Sequence, residues 1–310
     1  MKFRHIAALL MLGALWGLSY TFMALGASQF GPWALAGVRA AGAACLLSPF
    51  LATPAGRAAV RGHWRAIAFV GITGSALPFV LFNYAALSIH AGLSSVFSAG
   101  ATLFTALLAT LWLGEVLPAR RWLGLLIGFL GVFGLAFAKV RTSFAIGSAA
   151  EALAVAACLA ATVLYGVAST STRRFLGEVP PLVVAAGSQL ASALALMPLA
   201  AWQWPQAMPS PGAWLSAGAL AVLCTALAYI LFFSLIARLG PSRTMTVTFV
   251  IPVFGLLWAF VLLGEIPSAA MVVGCAVILL GTALALGRAP VPGRSLRDAL
   301  SLGEGARRPV

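Results

Sequence analysis

Charge is what this sequence has least of: only 8% of its 310 residues are Lys, Arg, Asp or Glu, and six in all are acidic. A soluble domain carries about 25% charged residues and about 45–50% apolar ones. Here 62% of the chain is hydrophobic, and six carboxylates cannot cover the core that so much apolar surface would build. A soluble protein is excluded, and an integral membrane protein is expected. The six acids and three histidines are scattered along the chain, with no catalytic constellation at either membrane face. Cys45, Cys158, Cys224 and Cys275 show no Cys-x-x-Cys spacing and all sit in apolar stretches, so they read as small packing residues rather than metal ligands or disulfides. The net charge of +13 has no long basic run or basic–aromatic alternation behind it, which removes nucleic acid as a partner.

What is present is a series of ten apolar stretches, each about 20 residues and so able to cross a bilayer. They run at about 5–26, 33–51, 66–87, 91–113, 121–138, 148–170, 180–200, 213–236, 243–263 and 268–287. The first follows Met1–Arg4 and ends in Ala-Leu-Gly-Ala-Ser, as a signal peptide does. The apolar run from Ile6 to Gly26 is too long for that role and reads as a span. Most joins are short, so neighbouring spans are antiparallel. Residues 289–310, basic and rich in Pro and Gly, are expected to be a disordered tail.

Orientation follows from the basic residues. With the N-terminus inside, sixteen of the nineteen Lys and Arg fall on the cytoplasmic side, Lys139 and Arg141 fall outside, and Arg39 lies within a span. That bias expects a multi-pass protein of the inner (cytoplasmic) membrane with both termini cytoplasmic.

The chain also repeats itself. At an offset of 150, Leu81–Gly131 aligns with Leu231–Gly281 without a gap and with 12 identities. Leu113-Gly114-Glu115 falls on Leu263-Gly264-Glu265, and Gly124 on Gly274; at an offset of 149, Leu15-Trp16-Gly17 meets Leu164-Tyr165-Gly166. Each half holds five spans, an odd number, so the second half enters the membrane from the opposite side. Inverted repeats of this kind are the architecture of alternating-access transporters.

These paired halves, the Leu-Trp-Gly of span one, and the Gly-Glu that closes span four before a Gly-rich span five resemble the drug/metabolite transporter superfamily, and within it the EamA-type exporters. The resemblance implies ten helices, with an EamA-like repeat in residues 1–140, an outer linker at 141–147 and a second repeat in 148–288. It implies efflux of small organic metabolites, commonly amino acids or amphipathic compounds, and cavity walls from the first, third and fourth spans of each half. Similar proteins usually carry a proline in mid span four. Here Pro252 is present in the second half, while the first has Ala101-Thr102.

Polar and aromatic residues in mid-span are the candidates for a solute site, because such pockets are mostly apolar with a few orienting polar groups. Trp16, Ser19 and Tyr20 share one face of span one, and Tyr165 and Ser169 repeat that spacing in span six. Asn83, Tyr84, Ser98, Thr102, Tyr229 and Thr248 complete the set. Arg39, the basic residue inside a span, is a candidate anion contact unless it snorkels to the surface. Its repeat equivalent is the neutral Gln189. Glu115 and Glu265 could carry a coupled proton, or could accept hydrogen bonds from a neighbouring helix start. Glu151 and Glu178 read as interfacial, and His90 as a loop residue. No acid lies at mid-membrane, which speaks against obligatory proton or sodium coupling. Pro78 and Pro252 are the expected hinges. Gly124, Gly128 and Gly131 in span five and Gly274 and Gly281 in span ten are expected to form a closely packed static scaffold.

The expectation is therefore an all-α exporter that acts as a monomer on a small-molecule solute, with the lipid bilayer as its surroundings and no cofactor or metal. A lipid- or sugar-conjugate flippase of the same fold stays open, as does, with no constellation in its favour, an intramembrane enzyme.

Overall fold

In a bilayer every backbone N–H and C=O must be satisfied within the chain, and a helix does this segment by segment. The computed structural model describes residues 3–145, 148–239 and 244–286, and these form helices joined by short turns and loops, with no strand among them. The expected tail at 289–310, residues 146 and 147 of the expected linker, and Lys2, Arg243 and Arg288 of the charge count lie outside the described residues. Seven helical stretches are long and apolar enough to span a membrane, and two shorter apolar helices follow them. Large hydrophobic side chains such as Leu111, Phe137, Leu194 and Leu215 point outward, which suits lipid and would be an aggregation liability in water. The chain is a multi-pass membrane protein.

The helices depart from the expected spans in three places. First, 5–26 and 33–51 are not separated by a loop. They form one run, α1 (Phe3–Ala52), interrupted only at Gly31 (φ 74°, ψ 166°). Glycine reaches that backbone region without a Cβ clash, and Pro32 then restarts the helix because it needs no N–H partner. One residue does the work of a loop.

Second, the third and eighth spans are not plain α-helices. α2 (Pro54–Gly71) passes into a π-helical segment, Ile72–Ala76, before α3 (Leu77–Ala85). After α4 (Ala91–Ala99), α5 (Ala101–Leu113), α6 (Ala119–Ala145), α7 (Ala149–Phe175) and α8 (Pro181–Trp202), the same pattern returns. α9 (Pro211–Ala221) passes into a second π segment, Val222–Leu227, and then α10 (Ala228–Leu239). Pro78 lies two residues past the first π segment, but its counterpart 150 residues on, after the second, is Ala228. Proline is therefore not the common cause.

Third, the fourth span breaks at Gly100, between α4 and α5, whereas α11 (Val247–Leu263) runs uninterrupted through Pro252. The break in the proline-free span falls at a glycine.

α5 and α11 both end on a glycine in the left-handed region, Gly114 (φ 69°) and Gly264 (φ 70°), the usual helix stop. Each presents the following glutamate at a helix end. α6 crosses α12 (Ala269–Leu286) at the expected glycines: a Cβ on Gly281 would strike the Gly128 backbone, one on Gly124 the backbone at Leu284–Ala285, one on Gly131 Ile278, and one on Gly274 Leu135. α1 packs on α8, α9 and α11, and α7 on α3 and α5. The Trp258 Nε1–H donates to the Ala14 carbonyl at 3.1 Å where α11 meets α1.

Candidate functional site

A π turn loosens the α-helical ladder, and such turns recur at functional sites. In the second one Thr225 donates to the carbonyl of Leu220, five residues back, at 2.8 Å, and its oxygen accepts from Arg39 Nε of α1 at 2.9 Å. In the first, Ser75 accepts from Gln189 Nε2 of α8 at 2.7 Å. Ser75 and Thr225 are 150 residues apart, as are Arg39 and Gln189. The two bonds are therefore one contact made twice, each time from a polar side chain in one half to the π segment of the other.

Arg39 does not snorkel. It is 4% exposed, and its guanidinium lies 3.7 Å above the centre of the Phe79 ring. Tyr165, Cys224, Tyr229 and Tyr20 are the groups within electrostatic range. Among the described residues no carboxylate is within ion-pair distance of it, and Nη1 is buried with no hydrogen-bond partner.

Beside it an aromatic group joins the halves. Tyr20 of α1 meets Phe82 of α3 edge-on at 5.3 Å, and Phe82 stacks on Tyr165 of α7 at 6.0 Å. Ser98 of α4 lies near the Tyr20 phenol and donates to the Ser95 carbonyl at 2.7 Å. The repeat counterpart of the Phe82–Tyr165 contact is Phe232 against Trp16 at 5.2 Å. Trp16 thus lies one turn from Tyr20 but packs with Leu12, Ala228, Leu235 and Val247 instead of with Phe82.

The structure brings Tyr20, Ser98, Tyr165 and Tyr229 of the expected set around Arg39 and Phe82, and leaves others apart. Ser19 is buried within α1, and Thr102 and Ser169 are half-buried one turn beyond Ser98 and Tyr165. Asn83 is fully buried and donates to the Pro32 carbonyl at 3.1 Å, which pins the break in α1; its Oδ1 has no partner. Tyr84 faces outward. Thr248 donates to the Met245 carbonyl at the start of α11.

The carboxylates sit at helix ends. Glu265 accepts from the backbone N–H of Ala91 at 3.0 Å and of Gly92 at 3.1 Å, so it caps α4 from the other half. Glu115 pairs with Arg173 at the end of α7. Glu151 pairs with Lys139 at 2.6 Å and accepts from Ser143 at 2.7 Å. Two hollows of about 410 and 320 Å³ lie at Arg61–Ala66 and beside His90, Lys139 and Glu151; neither includes the aromatic group. Among the described residues no three His, Cys, Asp or Glu are placed to hold a metal ion.

Reading the sequence for polar mid-span residues misses Ser75, Phe79, Phe82 and Thr225. The signal for Ser75 and Thr225 was the same 150-residue offset that pairs Arg39 with Gln189.

The profile of the EamA-like transporter family matches twice, at residues 4–137 and 152–287. A protein of Streptantibioticus cattleyicolor described as a "Probable terminal-alkyne amino-acid exporter" is 30% identical over 236 residues, 74% of this chain and 77% of that protein. An "Uncharacterized transporter" of Archaeoglobus fulgidus is 24% identical over 273 residues, 86% of this chain and 92% of that one. A solved crystal structure superposes with a TM-score of 0.62 at 23% identity, over 92% of this chain and 98% of its own, which is a likeness of fold.

Proposed function

The chain belongs to the EamA-like transporter family, and on that premise we propose that it is a secondary transporter exporting small organic metabolites, amino acids or amphipathic compounds, across the cytoplasmic membrane by alternating access. In this reading Gly31 divides α1 into two spans, the two shorter helices α11 and α12 also cross, and the count is ten. Residues 1–140 and 148–288 are then two five-span repeats of opposite orientation, joined at 141–147, with both termini cytoplasmic.

The observation that carries the reading is the reciprocal pair of clasps, Arg39 to Thr225 and Gln189 to Ser75. Two halves that grip each other through equivalent contacts have two comparable ways to pack, and exchange between them moves an enclosed solute from one face to the other. The aromatic group at Tyr20, Phe82 and Tyr165 lies where the halves meet and offers apolar faces with phenol edges. The relative named as an amino-acid exporter supports amino acids as the first class to try. Glu115 and Glu265 are engaged at helix ends, so transport driven by the solute gradient alone is the expected mode.

Counterflow in proteoliposomes with a labelled amino-acid panel tests this. Saturable exchange is expected, little altered by a pH gradient. Tyr165→Ala is expected to slow it roughly tenfold, equivalent to losing about 1.4 kcal/mol of aromatic contact. Absence of exchange from monodisperse protein, or a Tyr165→Ala variant at the wild-type rate, would count against the proposal.

A further inference from the structure

We infer that Arg39 is the receptor for a carboxylate on the solute, so that the substrates are carboxylates bearing an apolar part; this deepens the transporter reading above and rests on it. The argument turns on what Arg39 does not need to do. Its bond to Thr225 holds the second π segment, but Gln189 makes the same bond to Ser75 with a neutral side chain. The clasp therefore requires a donor and not a charge. An unpaired guanidinium inside a membrane protein is costly, and this one is retained where no described carboxylate balances it. Nε is used by Thr225 and one face by Phe79. What is left is the outer edge of the guanidinium, where Nη1 is buried and without a partner. A planar guanidinium suits a carboxylate in particular, since two parallel N–H groups can meet its two oxygens.

The surroundings define the rest of the ligand. Phe79 lies under the guanidinium, and Phe82, one turn further along α3, sits between Tyr20 and Tyr165, so the group attached to the carboxylate meets ring faces and phenols. Inorganic anions share the charge but not the apolar part, and they separate the two sources of an anionic ligand.

The test is calorimetric titration of the full-length chain in detergent with 3-phenylpropionate and with its neutral amide. The acid is expected to bind, and the amide more weakly by at least about tenfold. Arg39→Gln, which copies the neutral partner of the other clasp, is expected to weaken the acid roughly 10- to 100-fold while leaving the amide unchanged. Arg39→Lys, which keeps the charge and loses the fork, falls between. Equal binding of acid and amide, undiminished acid binding in monodisperse Arg39→Gln, or no acid binding into the millimolar range overturns the inference. So does displacement by an equal concentration of chloride, which marks a small-anion site. Carboxylate-selective binding without counterflow sinks the transport reading and leaves this site standing; counterflow of neutral solutes indifferent to Arg39→Gln does the reverse.

Discussion

Gly281→Leu is expected to abolish folded protein. A Cβ there would fall on the backbone nitrogen and Cα of Gly128, and backbone cannot swing aside as a side chain can. The two helices would have to separate along their whole crossing, because Gly124, Gly131 and Gly274 hold the same close approach. Packing at short distance is what holds helices together in lipid, where burial of apolar surface contributes little. The expected cost is about 3 kcal/mol or more, read as loss of the monodisperse peak in size-exclusion chromatography. Gly134→Leu is the control, since nothing lies within 4 Å of a Cβ on that same helix, and it should be tolerated. Equal behaviour of the two variants would mean that α6 and α12 do not cross in this way. Gly128 itself is the more forgiving position, where a Cβ meets the flexible end of Leu103 at 2.6 Å.

The second large effect is expected at Glu265. Its carboxylate takes the first two N–H groups of α4, which otherwise have no intrahelical partner. Removing it in Glu265→Ala forfeits two charge-assisted hydrogen bonds and frees the start of α4 from α11, at a cost of about 2 kcal/mol. Hydrogen exchange followed by mass spectrometry should show residues 91–99 exchanging roughly 30-fold faster, with α6 and α12 unaffected. Unchanged exchange in α4 would show that the helix start is held by packing alone. Glu115 occupies the matching position in the first half, yet it pairs with Arg173. The two equivalent glutamates are thus in different employment in this one conformation.

Much of this was legible in the sequence, for reasons that can be named. Membrane spans declare themselves because the bilayer demands long apolar runs. The two helix stops at Gly114 and Gly264 were visible because a left-handed residue is nearly always glycine. The crossing of α6 and α12 was visible because only small residues permit it. The break between the first two spans falls at Gly31, inside the expected interval, but nothing in the composition of that interval says that one glycine supplies the whole turn. The two π segments left no trace: Ile-Thr-Gly-Ser-Ala and Val-Leu-Cys-Thr-Ala-Leu are ordinary helix composition, and the hydrogen-bond spacing is decided by partners far away in the chain. Phe79 and Phe82 were hidden for a simpler reason. In a chain this apolar, a phenylalanine at a site looks like any other.

The π segments carry a mechanical consequence. Each holds one residue more than the α turn it replaces, and so behaves as a dislocation in an otherwise regular lattice. Should the first one close to α geometry, the register beyond it advances by one residue, which turns α3 by about 100° about its axis. Phe79 and Phe82 would then leave Arg39 and Tyr165 and face another neighbour. The second stands in the same relation to Tyr229 and Phe232. A pair of such defects, one in each half, allows the aromatic lining to be re-aimed by a twist within two helices, while the glycine-welded pair α6 and α12 stays where it is.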